Sequence, residues 1–292
     1  LASVTDEPST RLRLDLAYDG GGFSGWARQP GLRTVQGVLE DALGTVFRSP
    51  ADPPRLTVAG RTDAGVHATG QVAHLDVPER RLAGLARARG GSPAPSPADA
   101  LARRLNGIAG LRSDVVVRRA SIAPDGFDAR FSPLWRRYEY RIADALAERN
   151  PLHRGFTTWY PAELDVELMA AAARELLGLH DWAAYCRPRE GATTIRDLLE
   201  FEWVRGADGV IVAHLKADAF CHSMVRALVG AGVAVGEGKL GAGRLPVIRD
   251  DAKRTNEFKV MPAVGLTLVE VGYPTEAELH TRAEQTRARR DV

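Results

Sequence analysis

Gly60-Arg61-Thr62-Asp63-Ala64-Gly65-Val66-His67 is the segment of this 292-residue chain whose residue types could do chemistry. A carboxylate beside a cation stays ionised, which suits a nucleophile or an electrostatic stabiliser, and the flanking glycines permit a tight backbone. An aspartate that caps a turn beside a surface arginine is the plainer reading of the same residues. Other chemistry has less support. Cys221 and His222 are adjacent, and neighbours on a helix point about 100° apart, so they would not face one another. The seven histidines show no H-x-x-x-H or H-E-x-x-H spacing, so no metal centre is expected, and there is no G-x-S-x-G. Gly20-Gly21-Gly22-Phe23-Ser24-Gly25 satisfies G-x-G-x-x-G after an expected strand. A dinucleotide site needs the third glycine to open a helix, but Pro30-Gly31 intervenes and the helical pattern begins only at Thr34. The segment is therefore read as a glycine turn that lets backbone approach something, with Trp26 and Arg28 beside it, and not as a nucleotide site.

The elements that must position these residues show in the hydrophobic periodicity. Leu12, Leu14, Leu16 and Tyr18 alternate with Arg11, Arg13, Asp15 and Ala17, the period of a half-buried strand. Thr34 to Phe47 has helical spacing, with Thr34 as N-cap. The 60–65 loop lies between the short strand of RLTV and the alternating QVAHLDV. GGSPAPSP at 90–97 reads as a loop tip, with a short helix from Ser96 or Asp99 to Leu105. DVVVRRASI and RRYEYRIAD read as strands, and 163–178 as a helix closed by Gly178. A hairpin around Asp208-Gly209, a helix from His222 to Val235 and a final strand in AVGLTLVEVGYP complete the pattern. Strands in runs, with hairpin signals, predict an α+β fold with a mostly antiparallel sheet. No clean internal repeat is visible. Residues 11–115 and 116–275 form two expected halves, between an arm at 1–10 and a polar, helix-prone, peripheral tail at 276–292.

Composition narrows the class. With 45% hydrophobic and 26% charged residues the chain can bury a core. Two cysteines cannot build a disulfide framework, which predicts a reducing, cytoplasmic setting. No apolar run is long enough to span a bilayer, and LASVTDEPST does not read as a signal peptide. The formal charge of +2 hides an uneven distribution: 13 arginines against five acids between Arg80 and Arg141, an excess of +8. Arginines favour phosphate, and the interleaved Phe127, Phe131, Trp135, Tyr138 and Tyr140 could stack bases. A solvated face over a core holding those aromatics is the equal alternative.

Several separated segments together resemble the tRNA pseudouridine synthases of the TruA type. They are Tyr18-Asp19-Gly20 with Phe23 and Gly25-Trp26; Thr34-Val35-Gln36-Gly37; GRTDAGVHA with Gly70-Gln71-Val72; Phe127 with Ala129-Arg130-Phe131-Ser132; Arg137-Tyr138-Glu139-Tyr140; LKADAFCHSMVR at 215–226; and Gly265-Leu266 with Leu268. The resemblance spans about residues 11–274, and its most specific motif is GRTDAGVH. It implies a pseudouridine synthase fold: two ferredoxin-like, RRM-like halves, with helices flanking a curved antiparallel sheet and a central RNA-binding cleft. It also implies a homodimer, a tRNA partner, no external cofactor, and action on uridines 38, 39 and 40 of the anticodon stem-loop. Residue by residue, Asp63 matches the catalytic aspartate and Tyr138 the tyrosine that packs on the target base. Arg226 matches the arginine that pairs with the carboxylate, Arg61 the one that helps hold the flipped nucleotide, and Leu266 an apolar residue of the uracil pocket. Arg28, Arg130, Arg137 and Lys216 are added as RNA contacts. Ala27, Cys221, Ser223 and Thr267 depart from the commoner residues without removing a chemical group from the centre. The rival readings are a non-catalytic RNA-binding protein and, more distantly, a nucleotide-dependent oxidoreductase built on GGGFSG.

Overall fold

The computed structural model describes residues 7–86, 94–189, 191 and 193–288. The chain divides into two compact units, the first made of residues 1–64, 68–133 and 273–292, the second of 65–67 and 134–272.

In the first unit, strand β1 (Ser9–Tyr18) leads through a glycine turn to helix α1 (Val35–Val46), whose N-cap Thr34 accepts a hydrogen bond from Gly37 N. Strands β2 (Thr57–Val58) and β3 (His67–Pro78) follow, then α2 (Glu79–Ala83), α3 (Pro97–Ala109) and β4 (Val115–Ile122). Ser96 caps α3, as its position before a proline predicts. The strand order is β4-β1-β3-β2, all antiparallel. Leu12, Leu14, Leu16 and Tyr18 bury one face of β1, matching the alternation in the sequence. The other face is covered by the Phe127 segment. Arg11 Nη1 donates to Phe127 O, Ala129 N donates to His74 Nδ1, and Tyr273 OH donates to Ala129 O.

In the second unit, β5 (Trp135–Ala143), β6 (Thr158–Trp159), α4 (Val166–Arg174), β7 (Gly178–Asp181), β8 (Ile195–Arg205), β9 (Ile211–Ala217), α5 (Met224–Gly236), α6 (Arg244–Asp250) and β10 (Leu266–Gly272) follow in chain order. The strand order is β10-β5-β9-β8-β7, antiparallel throughout, with β6 parallel to the end of β5. The last helix, α7 (Leu279–Ala288), returns to the first unit.

Each unit therefore contains the same β-α-β-β-α-β path, with its fourth strand beside its first and its third between first and second. This is the mostly antiparallel, helix-flanked architecture that the resemblance implies. The repeat is invisible in the sequence because topology fixes strand order, not residue identity.

Several expectations are corrected. The unit boundary lies at Pro133/Leu134 rather than 115/116, because β4 pairs with β1 and so belongs to the first unit. The 163–178 helix ends at Arg174, and Gly178, at φ 105°, instead opens edge strand β7 against β8. The tail is not peripheral: Leu279 and Ala283 of α7 are buried, and α7 carries His280 against Gly126. Ser9 and Thr10 belong to β1, whereas 1–6 and 87–93, from the expected arm and loop, lie outside the described residues. Cys186 and Cys221 stand side by side, their Cα atoms 5.8 Å apart, although 35 residues separate them in the chain. Among the described residues no helix is long and apolar enough to cross a membrane.

Candidate active site

The Asp63 loop joins β2 to β3, and most of its backbone is held by the first unit. Ala59 N donates to Val72 O at 2.8 Å, and Gln71 Nε2 donates to Gly60 O at 2.9 Å. Thr62 is buried; its hydroxyl lies 2.8 Å from Tyr18 OH, and its carbonyl accepts a hydrogen bond from Trp26 N at 3.0 Å. Asp63 is half-buried and Arg61 exposed. At Gly65 the chain passes into the second unit, where His67 Nε2 lies 3.1 Å from Val264 O.

The glycine turn is explained by this loop. Asp19 accepts a hydrogen bond from Gly21 N, and Gly20–Gly22 make a single tight turn. Gly25, at φ 92°, then lies flat against the Asp63 segment: a Cβ there would stand 3.0 Å from Thr62 O and 3.3 Å from the carbonyl carbon of Asp63. The N–H groups of Val35 and Gln36, at the start of α1, donate to Gly25 O and Trp26 O. The helix terminus that a pyrophosphate would need is thus spent on the glycine turn itself. The expectation of backbone approach, rather than a nucleotide site, is what the geometry gives.

The other first-unit candidates lie on loops. Arg28 is exposed, with Nη1 donating to Asp41 at 2.9 Å and lying 3.7 Å from the fully buried Glu40 carboxylate. Glu40 also accepts from Leu56 N and Gln36 Nε2, so one carboxylate fastens both approaches to α1. Arg130 is exposed at a turn shaped by Asp128, whose carboxylate accepts from Arg130 N and Phe131 N.

In the second unit, cross-strand register sorts the remaining candidates. Phe201, Leu215, Tyr138 and Leu268 form one row across four strands; Trp203, Ala213, Tyr140 and Leu266 form the next. Both rows lie on the face covered by α5, where Gly232 sits against the Trp203 indole. Leu266 is therefore buried opposite Tyr140, one row along from Tyr138. The Phe220 ring meets Tyr138 edge-on at 5.2 Å. Arg226, in the first turn of α5, is half-buried; its Nε donates to Met261 O at 2.6 Å while Met261 N donates back to Arg226 O. Arg137 and Lys216 point to the opposite face, because side chains alternate along a strand. There they stand between Glu270 and Glu200, at 3.1 Å from Arg137 to Glu270 and 2.7 Å from Lys216 to Glu200. The structure thus groups Tyr138 and Leu266 on one face and sets Arg137 and Lys216 on the other.

Burial also settles the aromatic residues. Phe127 and Tyr140 belong to the core and are not stacking platforms. Tyr140 OH donates to Pro262 O and contacts Thr158 Oγ1; burial pushes its phenol up to about 12, although Thr158 and the Arg226 charge oppose the shift. Residues that sequence reasoning left without a role are Tyr18, Gln71 and Phe220. All three fall inside the resembling segments, but only long-range packing reveals what they touch.

A half-buried carboxylate on a clamped glycine loop, in a paired β-α-β-β-α-β fold, defines a class that comparison with known proteins makes specific. The family model described as tRNA pseudouridine synthase matches residues 172–274. Curated tRNA pseudouridine synthase A proteins match along nearly the whole chain. That of Leifsonia xyli is 62% identical over 289 residues, covering 99% of this chain and 100% of its own. That of Frankia casuarinae is 55% identical over 278 residues, covering 95% and 94%, and that of Mycobacterium leprae 49% over 281, covering 95% and 94%. The chain belongs to the tRNA pseudouridine synthase A family, and by that membership it is an isomerase.

Proposed function

We propose that this chain converts uridine to pseudouridine in the anticodon stem-loop of tRNA, at positions 38, 39 and 40, with Asp63 as the catalytic carboxylate and no external cofactor. The observation that carries the reading is the Asp63 loop itself: a GRTDAGVH segment whose backbone is held by buried neighbours and a glycine turn, in a chain so similar to named synthases.

The reaction breaks N1–C1′, turns the uracil and joins C5 to C1′; the C5 proton is lost and N1 gains one, so mass is unchanged. The target base must first leave its stack, at a cost of a few kcal/mol. The freed base must then be held so that it neither escapes nor returns unturned. An ionised Asp63 can add to C6, attack C1′ or remove the 2′ proton, and each route needs its charge. Arg226 supplies the compensating positive charge, Tyr138 a flat face and a hydroxyl for the base, and Leu266 an apolar wall. Arg61 holds the flipped nucleotide, and Arg28, Arg130, Arg137 and Lys216 contact the RNA backbone. The acting species is a homodimer in the cytoplasm.

Nucleotide-resolution pseudouridine mapping of tRNA, incubated with the protein and with Asp63→Asn, tests this. The expected result is modification at 38–40 by the native chain, none by the variant, and tRNA binding by both. Full activity of Asp63→Asn would remove the carboxylate from the mechanism; modification elsewhere would correct the positions.

A further inference from the structure

Three buried, uncharged side chains stand behind the Asp63 loop, and none has a role in the chemistry described so far. Gln71, in β3, is fully buried. Its Nε2 donates to Tyr18 OH at 3.1 Å and to Gly60 O at 2.9 Å, while its Oε1 accepts from Val72 N at 3.1 Å. The Tyr18 phenol, with Gln71 donating to it, can direct its own proton to Thr62 Oγ1, 2.8 Å away. A chain of hydrogen bonds therefore runs from β3 through the end of β1 to the residue immediately before Asp63. It is completed on the opposite side by Trp26 N donating to Thr62 O, and by Gly25 packed on the Thr62–Ala64 backbone.

The peptide carrying Asp63 is thus fixed from two directions. Tyr18 is 5% exposed and Gln71 0%, and the polar atoms of both are engaged with one another, Thr62, Gly60 and Val72. Neither carries charge at neutral pH, so neither changes the field at the carboxylate much. What they can change is where the carboxylate points, and a displacement of about 1 Å in a reacting group can cost on the order of a hundredfold in rate.

We propose that Tyr18 and Gln71 are positioning residues for the isomerisation: through Thr62 and Gly60 they set the backbone that aims the Asp63 carboxylate. The inference rests on Asp63 being the catalytic group. It separates aim from affinity, because the polar atoms of the chain bond to one another inside the protein.

The test is single-turnover conversion of saturating tRNA, measured beside tRNA affinity, for Tyr18→Phe, Thr62→Val, Thr62→Ser, the double variant Tyr18→Phe/Thr62→Val, and Asp63→Asn. Loss of one buried hydrogen bond corresponds to about a tenfold effect. Tyr18→Phe and Thr62→Val should each slow conversion by about that factor, with tRNA affinity within about twofold of the native chain. The double variant should be no slower than Tyr18→Phe, since that change already removes the Tyr18–Thr62 bond, and the Gln71–Tyr18 bond with it. Thr62→Ser should recover most of the rate that Thr62→Val loses. Native rates in Tyr18→Phe, multiplicative losses in the double variant, or affinity falling in step with rate would overturn the proposal. If Tyr18→Phe does not fold, the Val/Ser contrast at Thr62 decides it alone. Activity in Asp63→Asn would defeat the catalytic reading and this inference together. An inactive Asp63→Asn beside an unimpaired Tyr18→Phe would defeat this inference only.

Discussion

Gly25 and Thr62 meet backbone to backbone: a Cβ on Gly25 would stand 3.0 Å from the Thr62 carbonyl oxygen, and Gly25 itself holds φ at 92°. Both facts exclude a side chain. Gly25→Ala must either leave the left-handed region or push back the Thr62–Ala64 strip, an expected cost of about 1–3 kcal/mol. Stability should fall by that amount in urea titration, and conversion should fall further than stability explains, because the displaced strip carries Asp63. Unchanged conversion would show that the glycine turn is only a spacer.

Tyr138 and Arg226 make separable predictions. Tyr138→Phe keeps the buried ring and its edge contact with Phe220 and removes only the hydroxyl. Retained turnover would assign the residue to packing on the base; loss of turnover with unchanged tRNA binding would assign the hydroxyl to the chemistry. Arg226→Ala removes a charge and also leaves Met261 O without its Nε donor. It should be nearly inactive and less stable by about 1–3 kcal/mol. Calorimetry and single-turnover assays on the same preparation separate the two effects.

Acid sensitivity should trace to Asp144. Its fully buried carboxylate accepts from Arg205 Nη1 and Nη2 at 2.8 Å each, and from Leu164 N and Leu146 N. Burial alone would raise its pKa, but the Arg205 pair and the two N–H groups outweigh it and hold the group below the ordinary 3.8. A depressed folded pKa gives stability that is complete above the ordinary value and lost as pH falls through the folded one. Urea midpoints should therefore be flat near neutrality and drop below pH 3.8. Asp144→Asn should abolish that part of the drop, at a cost at neutral pH of about 3 kcal/mol, since it leaves Arg205 unpaired. An identical acid profile in the variant would place the sensitivity elsewhere.

Much of the element pattern was legible in local periodicity. The alternation of Leu12, Leu14, Leu16 and Tyr18 and the Thr34 cap appear in the structure as read. Short or irregular elements were not legible: α6 has seven residues and β7 four, too few for a period to stand out. At the site, the chemical groups were visible as residue types, but Arg137 and Tyr138 are neighbours in sequence and face opposite sides of a sheet. Only pairing with β9 and β10 tells which side is covered.

The amino-acid order by itself determined the local elements, the glycine-bounded Asp63 loop and the arginine excess between 80 and 141, because each depends on residues close along the chain. Tertiary structure alone decided the rest. It set the same order of four core strands in each unit, buried Phe127 and Tyr140 that composition could equally have placed on a surface, and brought Tyr18, Thr62 and Gln71 together. Those contacts join positions 44 and 53 residues apart, and no local periodicity encodes a hydrogen bond made across that distance.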